Sequence, residues 1–347
     1  MAIDLNLPFD NSTIRLVASW LGTSEAKLAE VLALKPELRY LEFSRSKGPN
    51  RPPRIINPPV DCLRRIQKMI LKKLVTSIPV SPFCHGFVPG RSIITNAKVH
   101  FPQAQSLLKL DLKNAFPSVK VQRIYVGLNW GLGRILKHGQ PTMAVGERRE
   151  FCRLIANLCC HNGCLPQGSP TSGALLNLAC RSLDRACAML TRQWADRLPQ
   201  GNFSRYADDL AFSTTAESIP EEFKKSAIKL IRRCGFRANE NKIKVQKASK
   251  VDLVLCGVRL HESLLSLPRD TMRKMRQIFH ATALLEPLDV PIECRRKISG
   301  LIGYLTMVTP CCPSTLEKSL SRLVAKHGSW IKPKQSATRP NLPGTYG

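Results

Sequence analysis

Tyr206-Ala207-Asp208-Asp209-Leu210-Ala211-Phe212 sets two adjacent carboxylates between an aromatic-small pair and an apolar run. Aspartate disfavours strands and is almost never buried without a partner. Two neighbouring anions repel each other unless a cation stands between them. Hard divalent cations held by carboxylate oxygens meet that need. The stretch therefore reads as half of a two-metal phosphoryl-transfer centre. The alternative is a strand or turn that carries two acidic residues by chance. A third carboxylate, distant in sequence and on an adjacent strand, separates the two readings.

Leu107-Leu108-Lys109-Leu110-Asp111-Leu112-Lys113-Asn114-Ala115-Phe116-Pro117 supplies that carboxylate. An apolar strand runs into Asp111, where a side chain can meet a neighbouring hairpin, and the chain turns through Lys113-Asn114. Phe116 is placed to close a pocket over a sugar ring. Taken singly, Asp111 also reads as a turn cap and Phe116 as a core aromatic. A third segment runs from Gly163 to Gly173, with Gly and Pro on both sides of Gln167, which marks a loop. It leads into a helical run expected over Ala174 to Leu190. Ser169, Thr171 and Ser172 offer caps for that helix, and a helix start suits anionic groups. Gln167 is placed to reach a nucleotide or a base pair.

In this order, Leu110-Asp111-Leu112-Lys113-Asn114-Ala115-Phe116, Leu165-Pro166-Gln167-Gly168-Ser169-Pro170 and Tyr206-Ala207-Asp208-Asp209 resemble the palm motifs of reverse transcriptases. The aromatic residue two places before the Asp pair points away from viral RNA polymerases, which usually carry Gly before the pair. The resemblance implies an α+β right-hand polymerase fold: fingers, a palm of antiparallel sheet with helices, and a helical thumb. It implies an RNA-directed DNA polymerase in which Asp111, Asp208 and Asp209, with the Leu112 backbone, hold two Mg2+ ions. Amides near Asn114 and Ala115 would meet the triphosphate, Phe116 would clash with a ribose 2′-hydroxyl, and Gln167 and Gly168 would line the nucleotide. Gly235-Phe236-Arg237-Ala238-Asn239-Glu240-Asn241-Lys242 resembles the next family motif, in which Lys242 would neutralise or protonate the pyrophosphate. A lysine solvated in a basic stretch is the alternative. Lys47 to Ile56 resembles the basic fingers hairpin, with Arg51 and Arg54 as triphosphate contacts, since guanidinium forks match phosphate oxygens.

His85-Gly86-Phe87-Val88-Pro89-Gly90-Arg91-Ser92 leads into Asn96-Ala97-Lys98-Val99-His100. Asn-Ala-x-x-His just ahead of the Asp111 strand resembles a hallmark of bacterial retron reverse transcriptases, although His100 also reads as a structural histidine. One departure stands out: retron enzymes usually carry Val-Thr-Gly where this chain has Leu255-Cys256-Gly257. Arg269, Arg273, Lys274 and Arg276 follow at helical spacing, as an RNA-reading thumb would place them; with Asn96 and His100 they form the expected RNA-binding set. The resemblance implies a cognate structured non-coding RNA as partner, priming from an internal guanosine 2′-hydroxyl, and a branched RNA–DNA product called msDNA that stays bound as a hybrid. It also implies a part in anti-phage defence with an effector protein encoded nearby. Rival readings are another bacterial reverse transcriptase (group II intron, diversity-generating or abortive-infection type) and a nucleic-acid-binding scaffold for an effector. The presence of all three carboxylates argues against the scaffold as sole role.

Lys and Arg outnumber Asp and Glu by 53 to 25, a net charge of +28 over 347 residues. Such an excess suits a polyanionic partner and affinity that falls with salt. Only 6% of residues are aromatic, so electrostatic and shape recognition of a helix or hybrid fits better than base stacking. No apolar run reaches membrane-spanning length, and no membrane partner is expected. Asp4 and the lack of a basic N-terminal region do not suit a signal peptide, so the 13 cysteines are expected reduced in a cytoplasm. Cys159-Cys160-His161-x-x-Cys164 crowds its ligands into one loop without a second Cys pair, and no zinc is expected there. The expected organisation is an N-terminal helical extension (1–40), fingers (41–106), palm (107–261, with part of the fingers returning around 123–160), thumb and RNA-recognition region (262–330), and a flexible tail (331–347). Ser299 to Tyr304 is expected to form a helix of tight approach.

Overall fold

The computed structural model describes residues 8–46, 48, 52–136, 143–260, 264–309 and 312–331. Two short helices open it, α1 (Asn11–Leu21) and α2 (Glu25–Ala33). The Asp10 carboxylate accepts from the Thr13 amide and the Ser24 hydroxyl from the Lys27 amide, so each helix begins where a side-chain oxygen satisfies an orphan N–H. Val17, Leu21, Leu28 and Val31 are buried, each burial worth about 1.5–3 kcal/mol. An antiparallel hairpin follows, β1 (Phe43–Arg45) with β2 (Arg54–Ile56), then α3 (Asp61–Lys73). The next helix, α4 (Ile93–Lys98), is started by a reciprocal cap between Ser92 and Thr95.

The central sheet begins with β3 (Ser106–Asp111). After it come α5 (Ala115–Ser118), α6 (Val121–Leu136), α7 (Val145–Cys159), α8 (Ser172–Ala179) and α9 (Arg181–Gln193). The helical run expected from Ala174 to Leu190 is thus two helices, divided at Cys180, whose amide closes α8 onto Leu176 and Leu178 carbonyls. Then β4 (Asn202–Tyr206), β5 (Asp209–Thr214), α10 (Glu221–Arg233) and β6 (Lys244–Lys247) complete an antiparallel sheet of order β4-β5-β3-β6. Alternation along β3 serves both faces. Leu108 and Leu110 join the main core with the helices, and Leu107 joins Ala211, Leu253 and Leu255 on the other side. The outer edge of β4 is covered by the segment before α4: Arg205 N–H donates to Phe83 O and His85 N–H to Arg205 O. That pairing occupies the outward N–H and C=O of Arg205.

A small sheet of β7 (Leu253–Leu255), β8 (Val258–Leu260) and β9 (Leu265–Ser266) leads to α11 (Arg269–Leu284), α12 (Ile292–Val308) and α13 (Ser314–His327). Met275, Phe279, Ile298, Leu305, Leu316 and Leu323 form a second core, to which α4 contributes Ala97. The first core runs from Val17 to Phe236, so α1 and α2 share it with the central sheet. Ser299 to Tyr304 lies in α12, but a Cβ on Gly300 or Gly303 would meet nothing within 4 Å. The tight approach expected there is absent; instead the Tyr304 hydroxyl reaches across to donate to the Gly257 carbonyl at 2.6 Å. Among the described residues, no helix is long and apolar enough to cross a membrane.

Candidate active site

Strand register brings the acidic residues together. Asp111, last in β3, is the direct antiparallel partner of Asp209, first in β5. Tyr206 pairs with Asp209 across the β4–β5 hairpin, so Ala207 and Asp208 form its two-residue turn. Ala207 has φ +57, as a tight hairpin turn requires, although a side chain disfavours it. Its surroundings hold it there. The Asp208 carbonyl accepts from Leu112 N–H at 2.9 Å, and the Ala207 carbonyl accepts from Arg205 Nη1 at 2.8 Å. Gly86 packs so closely that a Cβ there would lie 2.5 Å from the Ala207 nitrogen.

Arg205 is buried whole. It donates to both oxygens of the fully buried Asp184, at 2.6 and 2.9 Å, and to Asn177 Oδ1 at 3.1 Å. Asn177 in turn donates to the Gly86 carbonyl at 2.7 Å. A buried charge stands only when paired and hydrogen-bonded; here every arm of the guanidinium is used to tie the acidic turn to α8, α9 and the loop before α4. Motif matching passes over these residues. The available signal is an arginine in the short segment Asn202-Phe203-Ser204-Arg205 that runs directly into Tyr206-Ala207-Asp208-Asp209.

Asp111 is 7% exposed. Its Oδ1 accepts from Lys242 Nζ at 2.7 Å, its Oδ2 from Asn239 Nδ2 at 3.3 Å, and its carbonyl from Asn239 N–H at 2.7 Å. Desolvation first, then Asp111, raises the Asp208 carboxyl above its ordinary range, while Lys242 and Arg54 oppose the rise. Desolvation, then Asp208 and Asp111, push the Asp209 carboxyl up to about 6. Among the described residues no three acidic, imidazole or thiol groups converge on one point as they stand, and the ammonium of Lys242 rests on Asp111. The donor chemistry nevertheless fits a hard divalent cation: three carboxylates stand at one sheet end, and burial and neighbouring carboxylates raise two of them, Asp208 and Asp209. Leu112 follows Asp111 with a buried side chain, which leaves its carbonyl as the only candidate ligand.

A cavity of about 300 Å3 opens beside these residues, lined by Asp111, Asp209, Lys109, Lys242, Lys244 and Cys256. Lys109 and Lys244 have no role in the sequence reading, and Cys256 enters it only as the middle residue of Leu255-Cys256-Gly257. Lys109 donates to Val254 O at 2.9 Å, so alternation along β3 turns it to the cavity side. The Cys256 thiol is pushed up to about 12 by desolvation and by Asp209. It sits with Gly257 in the β7–β8 turn, at φ +48 and +83.

Asn114, at φ +50, leads into α5, where Ala115 is buried and Phe116 packs half-buried against the core. The Gln167 carbonyl accepts from Asn57 N–H at 2.6 Å, and Gly168 lies against Ile56. The loop ahead of α8 thus docks on the end of β2, whose exposed Arg54 acts on Asp208 electrostatically. Thr171 stands at the start of α8 without a side-chain cap bond, while the Ser172 hydroxyl donates to Pro166 O at 2.7 Å. Arg51 lies outside the described residues.

The expected RNA-binding set divides. Arg269, Arg273, Lys274 and Arg276 are exposed on α11, opposite Met275 and Phe279. Their surface pairs, Arg273 with Asp270 at 3.1 Å and Arg269 with Asp252 at 4.0 Å, are weak. Asn96 and His100 are corrected: they are 1% and 2% exposed and face inwards. His100 Nδ1 bonds Ser213 Oγ at 2.6 Å and Nε2 bonds Ser204 Oγ at 2.7 Å, joining β5 and β4. Asn96 Nδ2 donates to Cys256 Sγ at 3.6 Å. The motif therefore braces the hairpin that carries Asp208 and the turn that stands in place of Val-Thr-Gly.

Residues 46–255 match the family described as reverse transcriptase (RNA-dependent DNA polymerase). The chain is 33% identical over 305 residues to the retron Mx65 reverse transcriptase of Myxococcus xanthus, covering 85% of this chain and 68% of that one. It is 29% identical to the retron Mx162 reverse transcriptase of the same organism, over 74% of this chain and 55% of that one. With the retron Ec73 reverse transcriptase of Escherichia coli the figures are 27%, 81% and 86%. A telomerase structure from Candida albicans, solved with a fragment of telomeric RNA, aligns at TM-score 0.43 and 12% identity over 91% of this chain and 65% of that one; so loose a likeness says nothing of function. Three carboxylates at the end of an antiparallel sheet, within a family match that spans them all, place this chain among the reverse transcriptases of bacterial retrons, RNA-directed DNA polymerases.

Proposed function

We propose that this chain copies part of a cognate structured non-coding RNA into DNA, priming from the 2′-hydroxyl of an internal guanosine in that RNA, and so makes branched msDNA. The observation that carries the reading is the pairing of Asp111 with Asp209 beside the Asp208 turn, in a chain of retron type. Asp111, Asp208, Asp209 and the Leu112 carbonyl would hold two Mg2+ ions. When bound, the ions lower the pKa of the attacking hydroxyl and offset charge on the leaving pyrophosphate. The chain's own groups do the rest. Lys242 donates to Asp111 Oδ1 and is poised to turn to the pyrophosphate. Arg54 and Arg51 meet the triphosphate, together with amides at Asn114 and Ala115. Phe116 excludes a ribose 2′-hydroxyl, and Gln167 and Gly168 line the nucleotide.

The exposed face of α11, with Arg269, Arg273, Lys274 and Arg276, reads the RNA and holds the hybrid product, and the charge of +28 supports a polyanionic partner. The fingers, palm and thumb divide near residues 106 and 261, a division favoured by the second core in α11 to α13. We place the enzyme in the cytoplasm, in anti-phage defence, with an effector protein encoded nearby. The test is expression with the native upstream flank, followed by analysis of co-purifying nucleic acid before and after RNase and debranching enzyme. A short DNA joined to RNA through a debranchase-sensitive 2′,5′ bond is the expected product. DNA made only from added primers, with no branched species, overturns the priming reading and leaves the polymerase.

A further inference from the structure

Phe87 is an aromatic residue in a conformation and a place that core packing does not explain. Its φ is +57, a region that bulky side chains disfavour, and its side chain is 55% exposed. The loop on either side is clamped. The Gly86 carbonyl takes the Asn177 amide at 2.7 Å, and Gly86 itself lies against the Ala207 turn. On the far side Arg91 donates to the carbonyl of Cys84, and its N–H to Val88 O at 3.1 Å. Strain held by a rigid frame points to a functional position.

Among the described residues the ring has one aromatic neighbour, and one gap receives it. Its centroid is 6.3 Å from that of Phe116, with the rings at 71°, edge to face, a favourable arrangement for aromatic pairs. A Cβ on Gly173 in α8 would lie 2.5 Å from Phe87 Cγ and 2.6 Å from Cδ1. The missing side chain of Gly173 is therefore the space Phe87 fills, and from that space the ring backs Phe116. We propose that Phe87 is a positioning residue for sugar selection: it braces Phe116, so that the 2′-hydroxyl of a ribonucleotide meets a ring that cannot swing aside. The inference rests on the reading of Phe116 as the sugar gate.

The test is single-nucleotide extension by the full-length protein on a primed RNA template, with kcat/KM measured for a dNTP and its matching rNTP. Phe87→Ala and Gly173→Ala, the second by displacing the ring, are expected to lower the dNTP-over-rNTP ratio by about tenfold, the low end of what a shape change in an apolar pocket gives. Phe116→Ala lowers it further, and Phe87→Ala adds nothing to Phe116→Ala, because the brace acts only through that ring. A thermal melt of Phe87→Ala checks the fold. If Phe116→Ala relaxes the ratio while Phe87→Ala leaves it at the parental value, the brace is overturned and the gate stands. If neither changes it, the gate reading fails and takes the brace with it. Equal losses for dNTP and rNTP in Phe87→Ala would assign the ring to the template strand and overturn the proposal.

Discussion

His100 offers a quantitative test of a motif residue acting from inside the protein. Its imidazole is fully enclosed between Ser204 and Ser213, and burial, with a smaller push from His85, lowers it to about 3. In the unfolded chain a histidine titrates near pH 6.5. Below that value the unfolded state takes a proton that the folded state refuses until about pH 3. Stability therefore rises with pH through this window and is lost as pH falls from about 6.5 towards 3. Between about pH 7 and about pH 5 the loss assignable to His100 is about 2 kcal/mol. His100→Leu removes the titrating group while keeping apolar volume. It also strands two buried hydroxyls, at about 1–3 kcal/mol each. Urea melts of both proteins across that range should show the variant less stable at neutral pH, with the gap closing by about 2 kcal/mol on acidification. Parallel pH profiles would refute the buried-neutral account. Unchanged stability with RNA binding lost would restore His100 as an RNA contact.

Asp208→Asn should cut DNA synthesis about a thousandfold, since one carboxylate supplies several kcal/mol of charge stabilisation, while RNA binding in a filter assay persists; retained synthesis would remove Asp208 from the metal site. Asp184→Ala leaves the Arg205 guanidinium buried without its partner and should cost about 3–5 kcal/mol in a denaturant melt; a loss under about 1 kcal/mol would mean that water reaches the pair. Reversing charge at Arg273 and Lys274 should flatten the salt dependence of RNA affinity by about one unit of log–log slope per residue removed. An unchanged slope would move the RNA off α11.

Residues whose chemistry is local were legible in the chain. An Asp pair behind Tyr206-Ala207, a strand ending at Asp111 and a Gly-Pro loop around Gln167 are each recognisable within a few residues, although the Asp pair and Asp111 each have a plain structural reading when taken singly. Their order carried the family, and the fold class with it. The helical run after Gly173 was legible in kind but not in its break at Cys180, because apolar spacing continues across the division. His100 and Asn96 were misplaced because imidazole and amide suit a buried network and an RNA surface equally well, and periodicity does not say which face of a short helix is covered. The glycines of α12 looked like sites of close approach, yet which neighbour lies opposite depends on packing that no single helix encodes.

Sequence alone determined the oxygen-donor chemistry, the polyanionic partner implied by +28 and the β-hairpin that presents Asp208 and Asp209. Those follow from residue type and from turn geometry within one stretch of chain. Only the tertiary structure decided that Asp111 faces Asp209, that Lys242 rests on Asp111, that Asp184 neutralises Arg205 and that Phe87 stands behind Phe116. Each of these joins residues distant along the chain, and only the pairing of β3, β4 and β5 and the packing of helices and loops around that sheet bring them together.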